Sequence, residues 1–93
     1  MSKTASAVVT IANKLGLHAR PATLFAEIAN GVEADIKVRR CDYGDAVDGK
    51  SIMQMMMLAA TSGTRIEITA AGNDAPLALE TLVKLVESGF KEE

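Results

Sequence analysis

Two segments of this 93-residue chain alternate apolar and polar residues. In residues 32–40, Val32, Ala34, Ile36 and Val38 alternate with Glu33, Asp35, Lys37 and Arg39. In residues 64–70, Ile66 and Ile68 alternate with Arg65, Glu67 and Thr69. A strand written this way has one dry face and one wet face, as in an antiparallel sheet covered on one side. The pattern argues against a parallel nucleotide-binding sheet, whose strands are buried on both faces. It also requires the apolar helices to share the dry face, which makes a two-layer α+β domain.

The remaining elements follow from period and punctuation. Residues 7–12 read as a strand with Ala7, Val9 and Ile11 on one face. Residues 19–30 carry Ala22, Phe25, Ile28 and Ala29 at helical spacing, and Asn30-Gly31 is expected to end that helix through a left-handed glycine. Ala46-Val47 is expected to form at most a brief edge strand. Residues 51–58 form a short helix. A last helix starts after Gly72-Asn73-Asp74, with Pro76 in its first turn, and closes at Gly89. The order is β-α-β-β-α-β-α in a single domain spanning residues 1–93. Element order alone points to a ferredoxin-like split-βαβ sheet with one extra helix.

Composition narrows the chemistry. The formal charge is −2, without the basic excess of a protein held to nucleic acid by its phosphates. No apolar run approaches the roughly 18–20 residues that cross a bilayer, and the first residues show no secretory core. A lone Cys41 and a lone His18 supply neither an internal disulfide nor the usual His/Cys metal cage. The expectation is a cytoplasmic protein with no metal and no cofactor.

The single histidine lies in Gly16-Leu17-His18-Ala19-Arg20-Pro21-Ala22. For an arbitrary histidine, a surface or capping role without chemistry is the default. Here Pro21 belongs in a first helical turn, which puts His18 at or just before a helix N-terminus, although Pro21 also allows the boundary to fall a residue or two later. Unpaired amides, such as those of Ala19 and Arg20, and the helix dipole make that position an anion site. The same field favours a neutral, nucleophilic imidazole. Arg20 can grip a phosphate through its planar fork, and Gly16 is expected to leave room for an incoming group. A nucleophile, an anion cradle and a cation within five residues suit phosphoryl transfer through a phosphohistidine.

A second segment invites a rival reading. Residues 44–51, Gly44-Asp45-Ala46-Val47-Asp48-Gly49-Lys50-Ser51, satisfy the bare Walker A string. Its context is wrong: a polar turn precedes it, a short helix follows, and Asp45 and Asp48 put negative charge where phosphates belong. Ser51 and Gln54 fit a capping box. Ile52, Met53, Met55, Met56 and Met57 exceed what a short helix on a one-sided sheet can bury. Ile52, Met53 and Met56 are expected to stay partly exposed, as a pliable docking surface.

The Gly16–Ala22 motif together with Gly49-Lys50-Ser51-Ile52-Met53 strongly resembles HPr, the histidine-containing phosphocarrier family of the phosphoenolpyruvate-dependent phosphotransferase system. Thr61-Ser62-Gly63-Thr64 before the last strand also fits, and the likeness runs from Val8 to Val86. It implies an HPr-like open-faced β-sandwich, a four-stranded antiparallel sheet with three helices on one face, in place of the ferredoxin-like order. It implies that His18 accepts phosphate on Nδ1 from phosphorylated Enzyme I and passes it to EIIA-type domains, assisted by Arg20. Ser51 matches a serine that a dedicated HPr kinase/phosphorylase modifies in some branches. Ile52, Met53 and Met56 match a partner-docking patch. A monomer is implied, carrying a phosphoryl group rather than acting as a stand-alone catalyst. The 55–60 methionine-rich run resembles the nitrogen-related branch more than the sugar-uptake branch. The residue 39–45 turn looks longer and more polar than is usual in the family. Two other functions remain as alternatives: a regulatory module that binds partners without transfer, and a small P-loop enzyme.

Overall fold

The computed structural model describes residues 3–91. Strand β1 (Lys3–Thr10) is followed by helix α1 (Ala19–Asn30), then β2 (Asp35–Arg40) and the two-residue β3 (Val47–Asp48). Helix α2 (Ile52–Met57), β4 (Arg65–Gly72) and helix α3 (Ala75–Glu87) complete the order, and a short 3-10 turn (Gly89–Lys91) follows. All strand pairs are antiparallel, and the sheet order is β1-β4-β2-β3. Between β1 and β2 lies β4, where a split-βαβ sheet would place its third strand. The ferredoxin-like expectation is therefore wrong, and the open-faced sandwich is the architecture, with its three helices on one face.

The alternation that defines the sheet sets its two faces. Val9, Ile36, Val38, Ile66 and Ile68 are buried and meet Phe25 of α1, Met55 of α2, and Leu82 and Val86 of α3 in one continuous core. On the wet face, Arg39 lies directly across from Glu67, and Nε donates to Oε1 at 2.8 Å. That pair is solvated, so its contribution is small beside the apolar face beneath it.

Two local expectations change. The second strand begins at Asp35, although the alternation starts at Val32. The Glu33 and Ala34 amides are taken instead by the Asp74 carboxylate, at 2.9 and 2.8 Å. Asp74 stands at the N-cap of α3, but its side chain makes no bond to that helix; it ties α3 to the β2 entry. The second change is at Gly31, whose φ of −83° is right-handed. The end of α1 is held by the Gly31 amide on Ile28 O and by the Asn30 side chain, which donates to Ala26 O and Lys50 O. A left-handed glycine does end α3, where Gly89 has φ of +70°.

The Asp74 clamp makes stability pH-dependent. The Glu33 amide bond, assisted by the Ala34 amide and Lys50 against the opposing effect of burial, holds its carboxyl below the ordinary carboxylate range. A depressed folded pKa adds stability that is complete above the unfolded value of about 4 and is lost as pH falls through the folded value. Asp74→Asn should melt below wild type at pH 6–7, and the gap should narrow below pH 4. A gap that is constant across thermal melts from pH 7 to pH 3 would refute this assignment.

Candidate functional site

The loop from Ile11 to His18 leaves the sheet and turns back onto the end of α2. Ile11 continues the β1–β4 ladder, with its amide on Thr64 O and its carbonyl receiving the Gly63 amide, both at 2.8 Å. Buried Asn13 then shapes the turn: its Nδ2 donates to Gly16 O at 2.7 Å, and its carbonyl accepts the Gly16 amide at 3.1 Å. The Leu17 amide donates to Ala60 O at 2.8 Å, which fastens the loop to the segment just after α2. The sequence alone marks Asn13 only as a polar residue of a loop. Its burial followed by a glycine three residues later is the signal that it organises the turn.

Gly16 is required for a reason other than the one expected. Its φ is +71°, and a Cβ there would lie 2.6 Å from Ala60 O and 2.8 Å from Thr61 Cα. The missing side chain lets two backbone segments meet, rather than clearing space for an incoming group.

His18 is the N-cap of α1, with extended backbone (φ −87°, ψ −167°), and its carbonyl accepts the first helical bond from the Ala22 amide. Its half-buried imidazole makes no capping bond to the helix, so the capping role is not what the ring does. Helix α1 begins at Ala19 without the delay that Pro21 allowed. Ala19 and Arg20 therefore occupy the first two helical positions, where amides have no acceptor within the helix. Pro21 follows at the third, where a missing N–H costs nothing. Arg20 is exposed, and among the described residues it forms no ion pair. Ala19, Arg20, Thr23, Leu24 and Glu27 line a shallow groove along the outer side of α1.

Helix α2 has six residues and can bury only one side. Met55 and, just beyond it, Leu58 face the core; Ile52 and Met56 are about two-fifths exposed, and Met53 and Met57 about three-quarters. Met57 joins the three expected patch residues, and Leu15 in the His18 loop is equally exposed. Ser51 Oγ accepts the Gln54 amide at 3.1 Å, as a capping residue should. The reciprocal half of the capping box is absent, because Gln54 Oε1 takes the Asp48 amide instead. Ser51 is not part of the His18 cluster. The bond from Asn30 to Lys50 O puts it beside the C-terminal end of α1, and α1 is 12 residues long, about 18 Å at 1.5 Å per residue.

The Walker A string does not fold as a phosphate loop. Val47 and Asp48 pair with β2 as an edge strand. A Cβ on Gly49 would strike Ile36 Cγ2 at 2.6 Å, and the Lys50 ammonium is engaged with Val32 O at 3.0 Å. Among the described residues no group of three potential ligands is placed to hold a metal ion, and no helix is long and apolar enough to cross a membrane.

Residues 5–88 match the family described as the PTS HPr component phosphorylation site. The chain belongs to the HPr family. Phosphocarrier protein HPr of Pseudomonas aeruginosa is 44% identical over 84 residues, covering 90% of this chain and 92% of that protein. Phosphocarrier protein NPr of Escherichia coli is 37% identical over 90 residues, covering 97% and 99%. A crystal structure of HPr from Thermoanaerobacter tengcongensis superposes with a TM-score of 0.88 at 39% identity, covering 96% of this chain and 98% of that one. HPr from Bacillus anthracis gives 0.83 at 43% identity, covering 89% and 96%. The function is that of an HPr-type phosphocarrier. HPr and NPr relatives match over similar spans, so the likeness belongs to both branches.

Gly16→Ala tests the packing of the His18 loop. Forcing a Cβ against the Ala60 carbonyl at a positive φ should cost about 1–3 kcal/mol in chemical denaturation. Wild-type stability in that variant would show that the loop and residues 60–61 are not in tight contact.

Proposed function

We propose that the chain accepts a phosphoryl group on His18 Nδ1 from phosphorylated Enzyme I and passes it to EIIA-type domains in the cytoplasm. The observation that carries this reading is the position of His18: the N-cap of α1, directly ahead of the amides of Ala19 and Arg20. In the transfer, a phosphorus–nitrogen bond forms to the imidazole as the bond from phosphorus to Enzyme I breaks; the second transfer reverses this toward the acceptor. Developing negative charge on the equatorial oxygens is met by the two amides, the helix dipole and the exposed Arg20 guanidinium. The partners dock on the apolar surface of Ile52, Met53 and Met56, extended by Met57. The cradle needs no metal and no cofactor, because backbone N–H groups and one guanidinium supply the positive potential.

Mass spectrometry after incubation with Enzyme I and phosphoenolpyruvate tests the carrier reading. The expected product is one acid-labile, base-stable phosphoryl group, absent in His18→Ala. Arg20→Ala should slow its formation while folding stability stays within about ±0.5 kcal/mol, as for exposed surface positions. Undiminished labelling of His18→Ala would overturn the carrier reading, and a wild-type protein that binds Enzyme I without labelling would leave a partner-binding module in its place.

Ser51 is proposed as a regulatory phosphorylation site for a dedicated kinase. A phosphate there would bring about −1.5 to −2 charge next to Ile52 and Met53, and that charge must be desolvated when a partner docks. Ser51 lies a helix length away from His18, so the effect should fall on association rather than on the transferring group. Ser51→Asp should raise KM for phosphorylated Enzyme I. Ser51→Ala should keep transfer and lose only the cap bond, about 0.5–2 kcal/mol in thermal melts. Equal transfer kinetics for Ser51→Asp and wild type would reduce Ser51 to a cap.

A further inference from the structure

We infer that Arg40 is a positioning residue for phosphoryl transfer, holding the C-terminal end of α2 and through it the loop that presents His18. The inference rests on the carrier reading for its kinetic consequence, but its structural part stands separately. Arg40 closes β2, and its side chain is mostly buried, with 14% exposure. One terminal nitrogen, Nη1, donates to both Leu58 O at 3.2 Å and Ala59 O at 2.8 Å. The other two guanidinium nitrogens are spent on Asp42: Nε to Oδ1 at 3.0 Å and Nη2 to Oδ2 at 2.9 Å. The Tyr43 ring covers the guanidinium carbon at 4.5 Å. The polar turn after β2 thus fixes Arg40 in one orientation and aims its remaining donor at α2.

Helix α2 needs this cation. Its last turn carries no basic residue to meet the exposed carbonyls of the C-terminus. Directly after its cap, Ala59 has φ of +53°, a left-handed conformation that an alanine holds only when its surroundings enforce it. Arg40 binds the carbonyl of that same residue. The next residue, Ala60, offers the carbonyl that receives the Leu17 amide. An unbroken series of contacts therefore runs from Asp42 and Tyr43 through Arg40 to Leu58 and Ala59, then to Ala60, Leu17 and His18. The same contacts set how Met56 and Met57 stand on α2. Lysine cannot replace this arrangement, because a point charge lacks the fork that serves Asp42 and two carbonyls together.

The test compares wild type, Arg40→Gln and Arg40→Lys by native-state amide hydrogen exchange and by phosphoryl transfer from Enzyme I. Loss of the tie should speed exchange at Leu17, Leu58 and Ala59 by roughly tenfold or more, with Ile68 in the central sheet unchanged. The KM for phosphorylated Enzyme I should rise about three- to tenfold in Arg40→Gln with a smaller change in kcat, and Arg40→Lys should fall between the two. Unchanged exchange at all three amides overturns the inference. So does faster exchange that is equal at Ile68, which marks general destabilisation, and so does local loosening with unaltered KM. If the wild-type protein itself takes no phosphoryl group, the carrier reading fails, while the exchange data still decide whether Arg40 holds the α2 end and the Leu17 amide.

Discussion

Only one face of the sheet is covered, and the rest of the molecule adapts to that limit. Val9, Ile36, Val38, Ile66 and Ile68 must all be dried from the same side, so α1, α2 and α3 share a single layer. The crossing loops are consequently gathered at the ends of the helices, and a helix N-terminus becomes a place where amides face outward. Helix α1 spends its inner stripe, Ala22, Phe25, Ala26 and Ala29, on the core. Its first turn is left to carry His18 and Arg20. A site of this kind needs no cavity. In the proposed carrier role it would draw on the backbone dipoles at the start of α1.

The shortness of α2 has the same origin. The edge strand β3 is two residues long, and the helix that follows it has room for six. A helix of that length is marginal without tertiary support. Here its two ends are held from outside: Ser51 caps the first turn, and Arg40 binds the carbonyls beyond the last. Only Met55 and Leu58 reach the core, so four large apolar side chains remain on the surface. That exposure is unfavourable for an isolated protein, and it suits a surface that pliable methionine side chains fit to more than one partner.

Much of this was legible in the residues. Alternation in 64–70 located β4, and apolar spacing in α1 and α3 found both helices, because periodicity records burial directly. Helix α2 exceeded its burial capacity on paper before its exposure was known. The strand order was not legible from element order, since pairing partners are chosen by contacts distant in sequence. The start of β2 was misplaced because Val32–Ala34 alternates like a strand while Asp74, 40 residues away, takes its amides. The role of Gly16 was misassigned for a similar reason: the atoms that exclude a side chain there belong to Ala60 and Thr61. At the His18 site, Pro21 announced the helix start, whereas Asn13 and Met57 could be weighed only once burial was known.

The Walker A string shows how the same letters can satisfy unrelated constraints. In a phosphate loop, the first glycine, the glycine before lysine, the lysine and the serine would all serve one bound anion. Here each answers to something else. Gly44 turns the chain in open space with φ of +93°, and Gly49 lets β3 close on Ile36 and Phe25. Lys50 reaches back to Val32 O, and Ser51 caps α2. Gly49, Lys50 and Ser51 are taken up by the packing of the β3–α2 connection against α1 and β2, and Gly44 stands apart in an open turn, so the four do not converge on a common centre. What makes an anion site is convergence of unspent donors. Under the proposed carrier function, the helical positions of Ala19 and Arg20 behind His18 would provide it, and the segment matching the motif does not.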